Sequence, residues 1–586
     1  MMQTEVRPAS LIDVLERRAA EHPEATAFVF VPERGGEHRR VTYGELRDRA
    51  CAVAASLTAR TSPGDRAVLL FPPGLDFVVA CLGCLAARVI AVPLMVPRRT
   101  ADRDSSAAII ADCSPRIAIT SPDLLAHRPE IRERFPAAGC DWLSVDSAND
   151  RPPAPRGPLP RVGRNDIALL QYTSGSTATP KGVVLAHDNL LANLEMIRIA
   201  MSNAWRSIFV GWVPHYHDMG LMMGVMQPLY LGGTSVLMTP AGFMQRPLNW
   251  LRLIHQYRAE FSCGPNFAYE LCASRFRPEQ MQGIDLSCWK VALNGAEPVH
   301  AETLARFSRT FAPYGFDAGT LYPGYGLAEA TLLVTGPGRG RGWSTRDLSR
   351  SALQRGEIAA PAGPDDRQEM VSCGHSVGGE VAIVDPATRC RVAPLSIGEI
   401  WISGPHVARG YWRNDAATVE TFRAQIVDSP GRHWLRTGDL GFVDEQGALF
   451  ITGRGKDLII VRGMNHYPQD IERTVQASHP ALRRDCGAAF SIDDGTGAEK
   501  LAVVQEVERT SLATLDVAAV TARIREAVTR QHDIAPAVIA LIRPATLPKT
   551  TSGKVQRSLT RRLWLDGALI MLPAAAAARP AAHTGN

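Results

Sequence analysis

The chain has 586 residues, 45% of them hydrophobic and 21% charged, with a formal net charge of +5. That length calls for two or three packed units, and the small cationic excess, without any dense Lys/Arg run, excludes nucleic acid as an implied partner. The 11 cysteines are unevenly spaced and read as reduced thiols of a cytoplasmic protein, not as a disulfide framework.

The N-terminal stretch "MMQTEVRPASLIDVLERRAAEHPEATAFVF" mixes acids and arginines and lacks an apolar core of the kind a secretion signal needs. Residues 77–97 are the most apolar, but Arg88 and Pro93 interrupt them, so a core helix followed by a buried strand is expected and no transmembrane segment. Cys81 and Cys84, spaced as CxxC, then lie inside that helix. From about residue 165, strand-like and helix-like segments alternate. "IALLQY" reads as a strand, "DNLLANLEMIRIA" as a helix capped near Asp188, "IFVGWVP" as a strand, "LMMGVMQPLYL" as a helix and "KVALNG" as a strand. Such alternation predicts an α/β fold with mainly parallel sheets.

Two places break the rhythm. Residues 336–370 are rich in Gly, Arg and Pro, with one short helical pattern near "RDLSRSALQRG", and read as an inserted surface segment. The turn-rich "ITGRGKDLIIVRG", residues 451–463, precedes a change of style, after which "LAVVQEV", "VAAVTARIREAVTRQHD" and "VIALIRP" predict a small α+β unit. The tail "PAAAAARPAAHTGN" has no core-forming pattern and is expected to be disordered.

"YTSGSTATPKG", placed after a strand and before a helix, gathers the hydroxyls of Thr173, Ser174, Ser176 and Thr177, the amide of Gly175 and the ammonium of Lys181. Such a donor-rich loop suits a polyphosphate, although by itself it could be a polar connection. "YGLAE" (325–329), "RTGDLG" (436–441) and "LPKTTSGKVQR" (547–557) add an aromatic ring, carboxylates and a lysine flanked by small residues. Each has a plain structural alternative: a core aromatic, an Asx turn, a solvated charge.

Taken together and in this order, with "NGAEP", "GEIWISGPHVARGYW" and "GRGKDLIIVRG", these stretches resemble the adenylate-forming superfamily of acyl-CoA synthetases, nonribosomal peptide adenylation domains and luciferases. "GWVPHYHDMGLMMGVMQPLYLGG" and the Arg/Gly-rich insertion resemble its fatty acyl-AMP ligases. The resemblance implies a large N-terminal AMP-binding domain (1–452), a hinge (453–457), a small mobile C-terminal domain (458–566) and a tail (567–586). It implies ATP and Mg²⁺ as cofactors, a fatty acid as substrate and an acyl carrier protein as partner. Thr173, Ser174, Gly175, Ser176, Thr177 and Lys181 would hold the β- and γ-phosphates, and Glu329 with Thr173 the metal. Gly295, Ala296 and Glu297, with Tyr325 and Gly326, would bracket the adenine; Asp439 would accept from the ribose hydroxyls, with Arg454 nearby. Lys554 would reach both the fatty carboxylate and the α-phosphate, Lys456 would be the hinge residue, and His217, Met222 and Met226 would line the acyl channel. The chain departs from many relatives at Ala178 and Ala328, where Gly and Thr are frequent.

The competing readings are a conventional acyl-CoA synthetase, a non-catalytic relative, and a serine hydrolase built on "GHSVG" (374–378), whose Ser lacks the strand-then-helix context of a nucleophile elbow. "HYHD" has no accompanying ligand cluster for a metal. Arginines of the insertion (Arg339, Arg341, Arg346, Arg350, Arg355) and of the C-terminal region (Arg557, Arg561, Arg562) could meet an acidic carrier or form a solvated face.

Overall fold

The computed structural model describes residues 8–33, 35–97, 106–133, 135, 139–146, 160–173, 180–493, 499–550 and 553–573. Ser174 to Thr179, and the tail beyond residue 573, lie outside the described residues.

Two largely parallel sheets form the large N-terminal part. One has seven strands in the order Leu321–Pro323, Val291–Asn294, Phe261–Gly264, Ile208–Gly211, Thr234–Met238, Thr26–Val31 and Arg39–Thr42. All its pairs are parallel except the last. The second has six strands in the order Asp141–Ser144, Ile117–Thr120, Arg66–Leu70, Ile90–Leu94, Ile167–Thr173 and Lys181–Ala186. Its apolar runs follow from parallel pairing with both faces covered, which removes the polar alternation of a half-exposed strand. The helix Leu75–Ala86 is buried throughout, including Cys81 and Cys84, and the strand Ile90–Leu94 follows it as expected. All 11 cysteines are free.

The polar loop does not lead into a helix. It joins two antiparallel strands, with Thr173 opposite Lys181 in register, and Lys181 itself opens the strand Lys181–Ala186. Only then does the helix His187–Ala200 begin, one residue before the expected Asp188. The expected helix at 221–231 is broken as well: an α turn at Asp218–Leu221, a π turn at Met222–Met226 and a further α segment at Gln227–Leu231. The wider turn frees a carbonyl from the usual ladder, and the buried Ser235 hydroxyl donates to Gly224 O at 2.7 Å. Gly220 starts this segment hard against the preceding chain, since a Cβ there would lie 2.1 Å from Pro214 O.

A four-stranded antiparallel sheet (Glu380–Val384, Gly398–Ser403, Leu435–Val443, Leu449–Arg454) follows. The segment at 336–370 is more ordered than an irregular surface insertion: strands Thr345–Ser349 and Arg367–Val371 pair as an antiparallel ribbon around the short helix Arg350–Gln354. Most of its arginines are engaged locally, Arg346 with Glu445 at 2.8 Å and Arg350 with the carbonyls of Asp365 and Arg367. Ser376 of "GHSVG" sits on a strand and donates to Gly379 O, which removes the nucleophile elbow.

The C-terminal part has its own core, in which Ile471, Val475, Val503, Ile524 and Val528 pack between the helices Pro468–Ala477 and Val517–His532 and a three-stranded sheet of Leu482–Asp493, Glu499–Val507 and Val538–Ile542. The fold is thus a large α/β domain with parallel sheets and a smaller α+β domain.

An aromatic cluster braces the edge of the seven-stranded sheet. Trp250 is fully buried, meets Trp212, Phe243, Tyr269 and Trp289 edge-on, and donates to Ser262 Oγ at 2.7 Å. Trp250→Ala should lower stability by about 3–5 kcal/mol, read as a shift of the urea midpoint; a shift under a third of that would mean the cluster closes over the vacancy.

Candidate active site

Parallel strands release their following loops on one edge, and that edge is where α/β sheets bind ligands. Here Ile208–Gly211 leads into Trp212–Met219, Phe261–Gly264 into Pro265, and Val291–Asn294 into Gly295–Glu297. These loops, with Lys554 from the C-terminal domain, enclose one pocket lined by Trp212, Val213, Pro214, His217, Met219, Pro265, Ala296, Glu297 and Lys554. Trp212 stacks flat on Phe243, centroids 3.8 Å apart, which fixes the apolar wall.

Ala296 holds a positive φ of 67°, a strained choice for a residue with a Cβ. The turn swings Glu297 back so that its Oε1 accepts from Phe267 N at 2.7 Å, at the start of the helix Asn266–Ser274. Burial pushes the Glu297 carboxyl up to about 7, against the Phe267 hydrogen bond and the nearby Lys554. Lys554 is half-buried by its surroundings. Burial lowers its ammonium below the ordinary lysine value, while the carboxylates of Asp218 and Glu297 oppose that shift. Asp218 remains a low-pKa carboxylate: burial works against the charge, but His217, whose Nδ1 lies 2.6 Å from Asp218 Oδ1, and Lys554 prevail.

A second group of side chains lies on the C-terminal side of the same sheet edge. Asp439 is buried and held from both sides, Oδ2 accepting from Tyr325 OH at 2.8 Å and Oδ1 from Arg454 Nε at 2.8 Å. A carboxylate has about four acceptor positions, so two directions stay available for a diol. Gly326 is glycine for packing: a Cβ would stand 1.7 Å from Leu332 O. Glu329 is raised above the ordinary carboxyl value, chiefly by burial, and accepts from Tyr411 OH at 3.0 Å. Lys181 Nζ sits 4.7 Å above the Tyr411 ring. Lys456 is lowered by burial first and then by Arg454, with Lys181 adding to the repulsion. Lys181, Arg454 and Lys456 therefore form a self-repelling cationic mouth beside Glu329 and Asp439, a donor set that fits a polyphosphate nucleotide with a divalent cation.

The structure thus brings together Lys181, Glu329, Asp439, Arg454 and Lys456, and, in the adjoining pocket, His217, Ala296, Glu297 and Lys554; Lys554 lies close enough to Arg454 and Asp439 to feel both charges. Glu297 faces the Lys554 pocket. Met222 and Met226 lie fully buried in the main core, and Met219 supplies the thioether of this pocket. Ser174, Gly175, Ser176 and Thr177 fall outside the described residues, with their anchors Thr173 and Lys181 in place. Sequence reasoning missed Asp218 and Tyr411; the carboxylate next to His217 was the signal for the first. Among the described residues no group of three His, Cys, Asp or Glu is placed to hold a metal ion.

Arg557, three residues after Lys554, is not free for a partner. It grips Glu472 through both Nε and Nη2 at 2.7 Å and reaches Asp457 at 3.3 Å. Across the domain junction, Arg484 meets Glu270 at 3.3 Å, Gln368 of the inserted ribbon donates to Asp470 at 2.8 Å, and Gln354 donates to His532 O at 3.3 Å.

A parallel-sheet edge with a cationic mouth, a clamped aspartate and a lysine delivered by a second domain defines an enzyme that activates carboxylates with a nucleotide. Comparison with known proteins agrees. The family model "AMP-binding enzyme" matches residues 15–412, and the AMP domain of Disco-interacting protein 2-like proteins matches residues 456–573. A medium-chain-fatty-acid–[acyl-carrier-protein] ligase, JamA, of Moorena producens is 42% identical over 96% of both chains. A long-chain-fatty-acid–AMP ligase of Mycobacterium tuberculosis is 36% identical over 94% of this chain and 97% of its own. Among solved structures, a fatty acyl-adenylate ligase from L. pneumophila in complex with acyl adenylate and pyrophosphate is 38% identical, with a TM-score of 0.73 over 97% of this chain and 98% of that one. A further fatty acyl-adenylate ligase structure, from a study of the E. coli and L. pneumophila enzymes, is 31% identical with a TM-score of 0.85 over 96% and 98%. The chain belongs to the AMP-binding, adenylate-forming enzyme family and is fatty acyl-AMP ligase-like. It is an adenylate-forming ligase that uses ATP to activate fatty acids. Among the described residues no helix is long and apolar enough to cross a membrane.

Glu297 carries a pH signature. Its value of about 7 lies above the 4.5 of an unperturbed glutamate, so the folded protein keeps this proton after the unfolded chain has lost it. The carboxyl therefore weakens the fold increasingly as pH rises from about 4.5 to about 7, and has no such effect below that window. Melting curves of Glu297→Gln and the parent should coincide at the acid end and separate toward neutrality, the variant becoming the more stable. Parallel curves across the window would show that the carboxyl titrates as an ordinary one.

Proposed function

We propose that this enzyme converts a medium- or long-chain fatty acid and ATP to acyl-adenylate and pyrophosphate, then transfers the acyl group to the phosphopantetheine thiol of an acyl carrier protein. The observation that carries the first half is that the apolar side chains of Trp212, Val213 and Met219 line the same pocket as Lys554. An alkyl chain gains by burial there, and its carboxylate meets the one kind of group that can hold it beside a phosphate.

Two anions must approach for the new P–O bond to form, and positioning with charge neutralisation is the main catalytic task in phosphoryl chemistry. Lys554 bridges the fatty carboxylate and the α-phosphate; its lowered pKa reflects lost water, which strengthens each contact it makes. Asp218 and Glu297 keep the ammonium in place until both anions arrive. Lys181, with the hydroxyls of Thr173, Ser174, Ser176 and Thr177 and the amide of Gly175, takes the β- and γ-phosphates. Asp439 accepts from the ribose diol, and Tyr325, Gly326, Gly295 and Ala296 border the base. Mg²⁺ at Glu329 and Thr173 would neutralise charge on the phosphates. The alkyl chain passes His217 and Met219 toward the Met222–Met226 turn, whose thioethers adapt to chains of differing shape. Rotation of residues 458–566 about Lys456 then withdraws Lys554 and opens the adenylate to the thiol.

Support for a carrier protein in place of coenzyme A comes from the carrier-specific relative in Moorena and from the ribbon at 336–370, which makes its own hydrogen bonds to the small domain. The protein is proposed to work in the cytoplasm, in a lipid, polyketide or lipopeptide pathway.

Purified protein incubated with ATP, Mg²⁺ and mixed fatty acids, with either coenzyme A or a phosphopantetheinylated carrier, should accumulate acyl-AMP with the former and load the latter, as read by mass spectrometry. Acyl-CoA as the product would replace this reading by that of a conventional synthetase. Lys554→Ala should lose about two to three powers of ten in pyrophosphate release while still transferring acyl from synthetic acyl-AMP to the carrier; near-normal pyrophosphate release would refute its role.

A further inference from the structure

We propose that Tyr411 is a positioning residue that sets both the metal-side carboxylate and the phosphate-side lysine. The inference rests on the reading of Glu329 and Lys181 given above and assigns to one side chain the task of holding them in register.

The geometry makes the case in two independent contacts. The phenol donates to Glu329 Oε1 at 3.0 Å, and the opposite feature of the same side chain, its ring face, carries Lys181 Nζ at 4.7 Å. A hydroxyl can order a carboxylate but offers nothing to a cation placed over the ring; a ring face attracts the cation through its quadrupole. One tyrosine therefore supplies two different interactions to two groups that belong to separate parts of the chain.

The backbone shows why Tyr411 cannot drift. The segment from 408 to 412 is zipped along the strand that begins at Lys181: Arg409 N donates to Val184 O at 3.0 Å, Val184 N to Gly410 O at 2.9 Å, and Trp412 N to Gly182 O at 2.7 Å. Ala408 N donates to Glu329 O at 2.9 Å, so the same segment also grips the glutamate's own backbone. The ring is backed edge-on by Phe422, centroids 5.0 Å apart, and Tyr411 N is held by Thr418 Oγ1 at 3.0 Å. The spacing between Lys181 and Glu329 is thus built into a short, hydrogen-bonded splint with the phenol at its centre. A carboxylate that must receive a cation already bound to phosphate gains from being fixed beforehand, because partners of this kind commonly alter metal affinity by about 10- to 100-fold.

The test is calorimetric titration of the full chain with a non-hydrolysable ATP analogue at a series of free Mg²⁺ concentrations, for the parent, Tyr411→Phe, Tyr411→Leu and Glu329→Gln. Tyr411→Phe keeps the ring and loses the hydroxyl: the Mg²⁺ concentration for half-maximal analogue binding should rise about tenfold, with parental affinity restored at saturating Mg²⁺. Tyr411→Leu loses the ring too: analogue affinity should stay about three- to tenfold weaker even at saturating Mg²⁺. An unmoved Mg²⁺ midpoint in Tyr411→Phe, alongside a raised one in Glu329→Gln, overturns the inference and leaves the glutamate's assignment standing. An unmoved midpoint in Glu329→Gln overturns that assignment and the inference with it. Uniform weakening in Tyr411→Phe at every Mg²⁺ concentration, with no shift of midpoint, identifies a packing role and likewise overturns it.

Discussion

The whole site depends on keeping one ammonium, that of Lys554, poor in water at a junction between two domains. Desolvating a cation is unfavourable, and the protein offsets it with three carboxylates of the large domain, Asp218, Glu297 and Asp439, none of which lies near Lys554 in sequence. The pocket is consequently complete only while the small domain rests on the large one. That pose is held by a buried apolar cluster in which Tyr467 and Leu458 of the small domain pack with Leu348, Leu353, Phe442 and Phe450 of the large one, by the Arg484–Glu270 pair and by polar contacts from Gln354, Gln368 and Gln469.

The large domain supplies fixed walls. The stacked Trp212–Phe243 pair, the close approach of Gly220 to Pro214 and the strained turn at Ala296 leave the pocket lining little freedom. Electrostatics then select the ligand. Arg454 and Lys181 both press on the Lys456 charge, while Asp439 is held by Tyr325 and Arg454 before any ligand arrives.

Much of this was legible in the sequence, for definite reasons. Lys554, Glu329 and Asp439 sit in short stretches where charges are set among small and turn-forming residues, so the local chemistry stands out. The parallel sheets announced themselves through unbroken apolar runs. The strand Lys181–Ala186 did not, because Pro180, Lys181 and Gly182 read as the end of the polar loop and leave an apolar run of only residues 183–186. The π turn at Met222–Met226 depends on where Ser235 offers a hydroxyl, a long-range partner that periodicity cannot register. The strands of the ribbon at 336–370 carry their apolar residues only near one end, Leu348 in one and Met370 and Val371 in the other, so the sequence shows no run of period-two alternation. Tyr411 carries no charge and lies in a stretch, "GEIWISGPHVARGYW", that supports the family resemblance without marking this residue; its significance comes from Glu329 and Lys181, far away along the chain.

The Arg557 brace has a mechanical meaning. By gripping Glu472 and Asp457 at once, it welds the lysine-bearing loop to the residue immediately after Lys456. A twist of the backbone at 456 is then not absorbed by slack in between but carried, as by a crank arm, to the tip at Lys554. Under the proposed rotation about Lys456, a large sweep of the Lys554 charge needs a change in very few dihedral angles, with the side chain itself keeping one rotamer throughout.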